Sequence, residues 1–248
     1  MGPIYVMWLR QLKRYWRSKA RMIGALGQPL LFLIALGFGF GPMYAAAGGG
    51  NYIEFLAPGV IAMSILFTGM FNGIEIIWDR RFGFLKETLV APVSRMQIMI
   101  GRTLGGATIA LIQGIIVMII SFFIGFRIHD WTMLPIALIF MFLIAVLFSA
   151  LGTAIASLLE DMPAFQLIIN FVVMPIFFLS GALFPLTGLP GALDVVIKLN
   201  PLSYGVDGLR GALTGVSTLG MSLDFGVMLA VAVVIGIIGS YFFSKIEV

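Results

Sequence analysis

Residues 79–95, DRRFGFLKETLVAPVSR, hold four basic and two acidic side chains between two long stretches that carry almost no charge. Phe82, Leu85 and Leu89 fall at i, i+3 and i+7, which predicts one apolar face on a short helix. The charged residues of that helix point largely elsewhere: Arg81, Lys86 and Glu87. Such a helix can fill a groove on a soluble partner, with apolar anchors and charges that set the register. An interfacial helix with charges that only fix topology explains the same pattern equally well.

Side chains that catalyse reactions are scarce in this chain. It has no cysteine and a single histidine, His129, so a thiolate or multi-histidine metal centre is excluded. The sequence has no Gly-x-Ser-x-Gly elbow, no His-Glu-x-x-His motif and no Gly-Lys pair, so it lacks a Walker-type phosphate loop. A membrane enzyme is therefore disfavoured, and if ATP drives this protein, another chain must bind it.

The composition is that of a membrane protein. Apolar residues make up 60% of the 248 residues and charged residues only 10%, against about 25% charged in soluble domains. A spanning helix needs about 20 mostly apolar residues. Six windows meet that requirement: 22–42, 55–78, 103–126, 133–158, 164–184 and 222–243. The sequence therefore predicts a single transmembrane domain, an all-α polytopic membrane protein with six transmembrane helices.

The basic residues predict its orientation. Most lie before the first span, in the 79–102 loop or in the tail, whereas three lie on the other side: Arg127, Lys198 and Arg210. Because cytoplasmic loops are enriched in Lys and Arg, we expect both termini and the 79–102 loop to be cytoplasmic, in a multi-pass protein of the cell membrane.

The segment before the first span, residues 5–21, predicts an amphipathic helix in the headgroup layer. Aromatic and leucine side chains follow one face, and cations repeat the same spacing on another. The residues that define it include Trp8, Arg10, Lys13, Arg14, Trp16 and Arg17. A topology anchor and an added role in binding a partner protein explain this helix equally well.

Few polar side chains lie at membrane depth. Asn72 and Glu75 share a face at i, i+3, and Gln166 and Asn170 share one at i, i+4, so these four residues are candidates for a substrate path. Glu75 is near enough to the interface to pair with Arg80 or Arg81, and that structural role is the favoured interpretation. Three small-xxx-small spacings indicate close helix contacts, within the chain or between copies: Gly69 with Gly73, Gly101 with Gly105, and Gly236 with Ser240.

Residues 185–214, between the fifth and sixth spans, are rich in Pro and Gly yet largely apolar. Their apolar runs are too short to cross a bilayer, and such runs are often re-entrant or interfacial. The favoured interpretation is two short outer re-entrant helices that meet at Asn200 and Pro201, and the alternative is a loop on the outer surface.

Three motifs carry a resemblance to a known family: FLAPGVIAMSILF, WDRRFGFLKETLVAPVSRMQIMIGR and NPLSYGVDGLRGAL. Their order and spacing resemble those of type-2 ABC exporter membrane subunits, with the drug-resistance and nodulation-factor branches looking most similar. The resemblance implies that residues 82–90 form a coupling helix that docks on a separate ATP-binding subunit. The coupling residues carried over are Arg81, Phe82, Gly83, Phe84, Leu85, Lys86, Glu87, Thr88 and Leu89.

The resemblance further implies a transporter subunit that is not itself an enzyme. ATP and Mg²⁺ would sit on the partner, so this chain would hold no cofactor and no metal. A second membrane subunit would complete the pathway, with a homodimer favoured over a heterodimer with a related subunit. Since the path carries few charges, we expect a hydrophobic or amphipathic cargo such as a drug, a lipid or a lipid-linked glycan. The alternative is an ATPase-independent channel or secondary carrier, and neither hypothesis predicts binding to nucleic acid.

Overall fold

The computed structural model describes residues 2–90, 92–185 and 191–245, with the backbone alone for Lys86, Thr88, Leu89 and Ala192. All secondary structure in these ranges is helical, which confirms the predicted all-α class. The first half contains α1 (Pro3–Arg17), α2 (Lys19–Ala46), α3 (Tyr52–Asn72), α4 (Ile74–Arg81), α5 (Phe84–Val90) and α6 (Arg95–Ile124). The second half contains α7 (Leu134–Leu158), α8 (Met162–Ile168), α9 (Met174–Phe178), α10 (Gly191–Leu199), α11 (Pro201–Thr214) and α12 (Met221–Ser244).

Polar caps and prolines begin several of these helices. Asn51, Ser94 and Asn200 each accept a hydrogen bond from a backbone N–H in the first turn of α3, α6 and α11. Pro3 and Pro201 occupy the first position of α1 and α11, where a missing N–H costs nothing. Residues at the start of each of these helices therefore determine where the helix begins.

Five helices within the described ranges are long and apolar enough to cross a membrane: Lys19–Ala46, Tyr52–Arg81, Arg95–Ile124, Trp131–Leu158 and Met221–Ser244. They correspond to five of the predicted spans. The predicted span 164–184 instead contains a shorter apolar helix, Met162–Phe178. That helix passes through a π-helical segment, Ile169–Val173, just before Pro175, whose ring removes a backbone donor.

Helix α3 is the centre of the bundle. Its most apolar window is 78% buried, against 17% for α2 and for α12, which lie at the periphery. Gly73 allows the α3–α4 junction to approach α7 closely, because a Cβ there would clash with the carbonyl oxygen of Gly152. Gly101 and Gly105 admit α1 in the same way, whereas Gly236 has open space around it. Two of the three small-residue spacings therefore serve packing within the chain.

The segment after α9 has two short helices that meet at Asn200, as predicted, although residues 186–190 lie outside the described residues. Helix α11 is buried among α3, α7 and α12, while α10 is largely exposed. The Asn200 amide donates to the Ile176 carbonyl oxygen at 2.7 Å, and the Arg210 guanidinium donates to that of Gly181 at 2.8 Å. These bonds attach α11 to the bundle, and its re-entry into a bilayer stays a prediction.

Candidate functional site at the basic end of the bundle

One end of the bundle, which we call the basic end, carries α1, α4, α5 and the start of α6. Asp79 on α4 is its central counter-ion and is buried. Arg102 on α6, also buried, donates a hydrogen bond to Asp79. Arg14 donates to Asp79 at 3.2 Å and Arg10 at 3.4 Å, since their i, i+4 spacing places both on one face of α1. Three helices thus meet on a single carboxylate.

Glu75, one turn before Asp79, pairs with a different helix from the one expected. We predicted Arg80 or Arg81 as its partner, but Arg21 on α2 donates to Glu75 at 2.6 Å and also to Asn72 at 2.7 Å. Arg80 donates to the backbone carbonyl of Leu159 instead. The prediction failed because residues five and six positions further along a helix do not face Glu75, whereas the Arg21 guanidinium of α2 lies within hydrogen-bonding distance of it.

These six ionised side chains form a cluster with an excess of positive charge. Four guanidinium groups face two carboxylates, which leaves a net charge of +2. Within the described residues, the Nε and Nη1 atoms of Arg102 have no hydrogen-bond partner. The basic face of α1 was expected to point toward lipid headgroups, but Arg10 and Arg14 bind the acidic groups of this cluster, although Arg14 stays exposed, as Lys13 and Arg17 do.

Helix α1 is fixed to the bundle rather than resting loosely on it. Its buried residues, Met7, Gln11 and Tyr15, follow i, i+4, i+8 and pack on α6. The Tyr15 hydroxyl donates to Gln113 at 2.6 Å, and the Trp8 indole donates to Thr108 at 3.0 Å. Burial raises the pKa of the Tyr15 hydroxyl, so it remains a neutral donor at physiological pH.

Helix α5 presents a different face from the one predicted. Leu85, expected among the partner-facing residues, is fully buried in the core, whereas Phe82 and Phe84 are 62% and 51% exposed. The reason is that α5 starts only at Phe84, after Gly83 turns the chain with φ +79°, so Phe82 is not on the same helix as Leu85. The Phe82 ring stacks on Trp78 with centroids 5.4 Å apart. The side chains of Lys86, Thr88 and Leu89 lie outside the described residues.

A groove of about 660 Å³ runs between α1 and α5 at this end. We call it the α1–α5 groove. Its walls are Val6, Leu9, Arg10, Lys13, Arg14, Arg17, Asp79 and Phe84. An apolar floor with a rim of cations is the arrangement that accepts an acidic and apolar segment of a partner.

The remaining predicted residues lie elsewhere. Gln166 donates to Asn170 at 3.4 Å on one exposed face of Met162–Phe178, so this pair shares a face as predicted but does not meet Glu75 or Asn72 through any described contact. Asn72 is engaged by Arg21 and donates to the carbonyl of Gly106. The sequence analysis did not predict the pairing of Asp79 with Arg102. A signal was present, because Arg102 lies seven residues after the start of the 30-residue apolar helix α6, where a charge indicates a buried counter-ion.

The opposite end of the bundle holds a second buried acidic group. Asp207 on α11 accepts hydrogen bonds from the Ser217 hydroxyl and from the N–H groups of Thr218 and Leu219, all within 3.0 Å. Asp224, in the first turn of α12, lies beside Asp207 and is fully buried. Neither of its oxygens meets a donor among the described residues.

We therefore expect opposite effects from two similar substitutions. Asp224→Asn should raise the thermal stability of the chain, because the amide donates to Asp207 where a carboxylate repels it. Asp207→Asn should lower stability by about 1.5–3 kcal/mol, since three hydrogen bonds to a charged acceptor are weakened. Thermal unfolding of the two variants in the same detergent measures both, and an equal loss in each would contradict the assignment.

The fold and this site define a class: an all-helical, multi-pass membrane protein in which side chains at the basic end connect the amphipathic helix α1 to α2, α4 and α6. Comparison with known proteins narrows that class. A family model described as ABC-2 type transporter matches residues 3–214, so the chain belongs to the ABC-2 type transporter membrane family.

Three relatives illustrate the range of that similarity. The putative transport permease ycf38 of Cyanophora paradoxa is 27% identical over 98% of this chain and 88% of its own length. The inner membrane transport permease YadH of Escherichia coli K12 is 29% identical, covering 90% and 87%. Nodulation protein J of Rhizobium meliloti is 30% identical, covering 87% and 82%. The predicted resemblance to type-2 ABC membrane subunits is confirmed.

Proposed function

We propose that this chain is the transmembrane subunit of an ATP-driven exporter, powered by a separate ATP-binding subunit that holds ATP and Mg²⁺. Its substrate is hydrophobic or amphipathic, such as a drug, a lipid or a lipid-linked glycan, and it moves out of the cytoplasm. The observation that carries the proposal is the exposed aromatic pair Phe82 and Phe84 beside the cationic α1–α5 groove. Phe82 caps the end of α4, and Phe84 begins α5 two residues later.

The ATP-binding subunit docks on α5 and the α1–α5 groove. Phe82 and Phe84 supply large apolar side chains of the kind that dominate protein interfaces, and Lys13 and Arg17 supply cations at the rim. Arg81 and Glu87 are exposed beside them and contribute to register. Leu85 anchors α5 to the membrane domain and takes no part in docking.

The buried ion pairs make the docked helix part of a rigid unit. Asp79 joins α4 to α1 and α6, and Leu85 holds α5 against the core. A displacement of α5 by closing ATP-binding subunits is therefore passed to the spans instead of being absorbed by a flexible loop. The subunit then shifts between two packings, inward-open and outward-open, whose populations the ATP-bound partner sets.

The basic end and both termini lie on the cytoplasmic side of the cell membrane. The substrate is delivered to the outer leaflet of that membrane. The excess of Lys and Arg at this end supports the assignment. A second copy of the chain completes the pathway, covering part of the apolar surface that the peripheral helices expose. Asn72 and Glu75 border the path at the basic end, and Gln166 and Asn170 line it on the fifth apolar segment.

Co-purification of this chain with ABC ATP-binding subunits from the same organism tests the proposal. We expect a stable complex of two membrane chains and two ATP-binding chains, with ATP hydrolysis that depends on the membrane chains. Transport by the purified chain alone, driven by an ion gradient, would instead identify a secondary carrier and overturn the proposal.

A further inference from the structure

A cavity of about 580 Å³ opens at the basic end between α2 on one side and α3 and α4 on the other, and we call it the inner cavity. Its volume lies within the range of sites for small molecules. Its lining residues are Arg14, Tyr15, Arg21, Gly24, Ala25, Gln28, Pro29, Ser64, Phe67, Thr68, Phe71, Ile74, Glu75 and Trp78.

The lining divides into two parts along the helix axes. Arg14, Arg21 and Glu75, which belong to the charged cluster described above, line one end of the cavity. Arg14 also donates to Asp79 at 3.2 Å, and the whole cluster has a net charge of +2. The remainder, from Ile74 back to Ser64, is mainly apolar and aromatic and extends about 15 Å along α3 and the start of α4 at 1.5 Å per residue. The inner cavity therefore complements a molecule with an anionic head and an apolar chain: its charged end carries cations, and the rest of its wall is apolar.

Open space and an unused polar group both indicate room for a ligand. Gly24 has no atom within 4 Å of the position a Cβ would take, so α2 leaves the cavity unfilled there. Ser64 is 3% exposed, and its hydroxyl has no hydrogen-bond partner among the described residues. Since a buried hydroxyl without a partner is unfavourable, Ser64 marks a place in the cavity wall where the packing of the chain leaves a polar group unsatisfied.

From this charge and shape complementarity we propose that the inner cavity binds an amphiphile with an anionic head group and an apolar tail. The head group is held by Arg14 and Arg21, and the chain lies against Phe67 and Phe71. This inference rests on the proposed function, because it treats the bound amphiphile as the transported substrate. It narrows the substrate class from any hydrophobic molecule to an anionic amphiphile.

The head group competes with Glu75 for the two guanidinium groups. In the structure Arg21 lies 2.6 Å from Glu75, and Arg14 lies 3.6 Å from it. Glu75 belongs to α4, which leads directly into α5. Binding of the amphiphile therefore releases Glu75 from Arg21 and loosens α4 next to the docking helix, which connects the loading of the cavity to the ATP-binding partner.

The test measures binding to the membrane chain alone, in nanodiscs of phosphatidylcholine, by quenching of tryptophan fluorescence. Trp78 lines the inner cavity, so an alkyl phosphate with a brominated chain should quench it in a saturable way. The Trp78→Phe variant should lose that saturable component. An alkyl trimethylammonium and an alkyl maltoside with the same brominated chain should give only the linear quenching expected from partition into the bilayer.

Two variants and one control assign the effect to the cavity. Arg21→Gln should weaken binding of the alkyl phosphate at least tenfold, and Gly24→Phe should do the same by filling the apolar part without altering any charge. Lys19→Gln removes an exposed cation two residues from Arg21 and should leave the affinity unchanged. Equal saturable quenching by all three head groups, or an affinity that neither Arg21→Gln nor Gly24→Phe alters, would overturn the proposal.

Nanodiscs containing phosphatidylglycerol distinguish the two sources of such a ligand. The ligand comes either from the surrounding bilayer or from elsewhere. Displacement of the probe by phosphatidylglycerol identifies a bilayer lipid as the occupant, and persistence of probe binding identifies a molecule delivered from elsewhere. Both outcomes support an anionic site. Because the measurement uses no ATP-binding subunit, failure to bind the probe and failure to form the ATPase complex are separate results.

Discussion

Replacing Phe82 and Phe84 together with aspartate should abolish the complex with the ATP-binding subunit while leaving the membrane domain folded. Both rings are more than half exposed, and they stand beside the cationic α1–α5 groove. Aromatic anchors at the centre of an interface typically contribute about 2 kcal/mol or more each when removed, so loss of both should reduce affinity by at least a hundredfold. The measurement is the amount of ATP-binding subunit that elutes with the chain.

The choice of these two residues depends on where the core ends. Leu85 lies between them and the bundle and is fully buried, so a charge at Leu85 would unfold α5 and report on stability instead of docking. Loss of the Phe82 ring also removes its stacking on Trp78, which costs about 0.5–1.5 kcal/mol and is small beside the expected docking effect.

Trp131→Asp provides the matched control. Trp131 is an exposed aromatic residue at the opposite end of the bundle, and it stacks on Phe122 with centroids 5.8 Å apart, much as Phe82 stacks on Trp78. This variant should keep the complex. If the Phe82 and Phe84 double variant still co-elutes in full amount, α5 is not the docking element and the proposed function loses its main support.

The second large effect concerns Asp79. Asp79→Ala should destabilise the membrane domain by about 3–5 kcal/mol, because breaking a buried ion pair leaves an uncompensated charge. Arg102 is almost completely buried and cannot turn to water, so it suffers most from the loss. Arg10 and Arg14 also lose their counter-ion, but both are partly exposed and can be hydrated. Thermal unfolding in detergent, followed by size-exclusion chromatography, measures the change.

A compensating pair of substitutions separates the contribution of the buried charges to stability from that of packing. Replacing Asp79 with Leu and Arg102 with Met at the same time removes both buried charges and keeps apolar volume, so stability should return close to that of the wild type. Glu160→Ala removes an exposed acid and should change stability by no more than about 0.5 kcal/mol. An Asp79→Ala variant as stable as the Glu160→Ala variant would show that the ion pair contributes nothing to the fold.

Much of the architecture follows from local properties of the sequence. The thickness of a bilayer fixes the length of an apolar run, so the positions of five spans follow from hydropathy alone. Amphipathic spacing predicted α1 and α5, and the break at Asn200 and Pro201 predicted the junction of α10 and α11, since each signal involves residues within a few turns of each other.

The tertiary structure alone decided which charges meet and which aromatic residues stay exposed. Arg21 and Glu75 are 54 positions apart, and Arg102 and Asp79 are 23 apart, so only the arrangement of α2, α4 and α6 in space selects these partners from many alternatives of equal charge. Leu85 looked like a docking residue beside Phe82 because spacing shows which residues share a face but not what that face contacts. The sequence therefore determines which charges and apolar faces each helix carries. The packing of helices that are distant along the chain determines which partners those charges and faces contact.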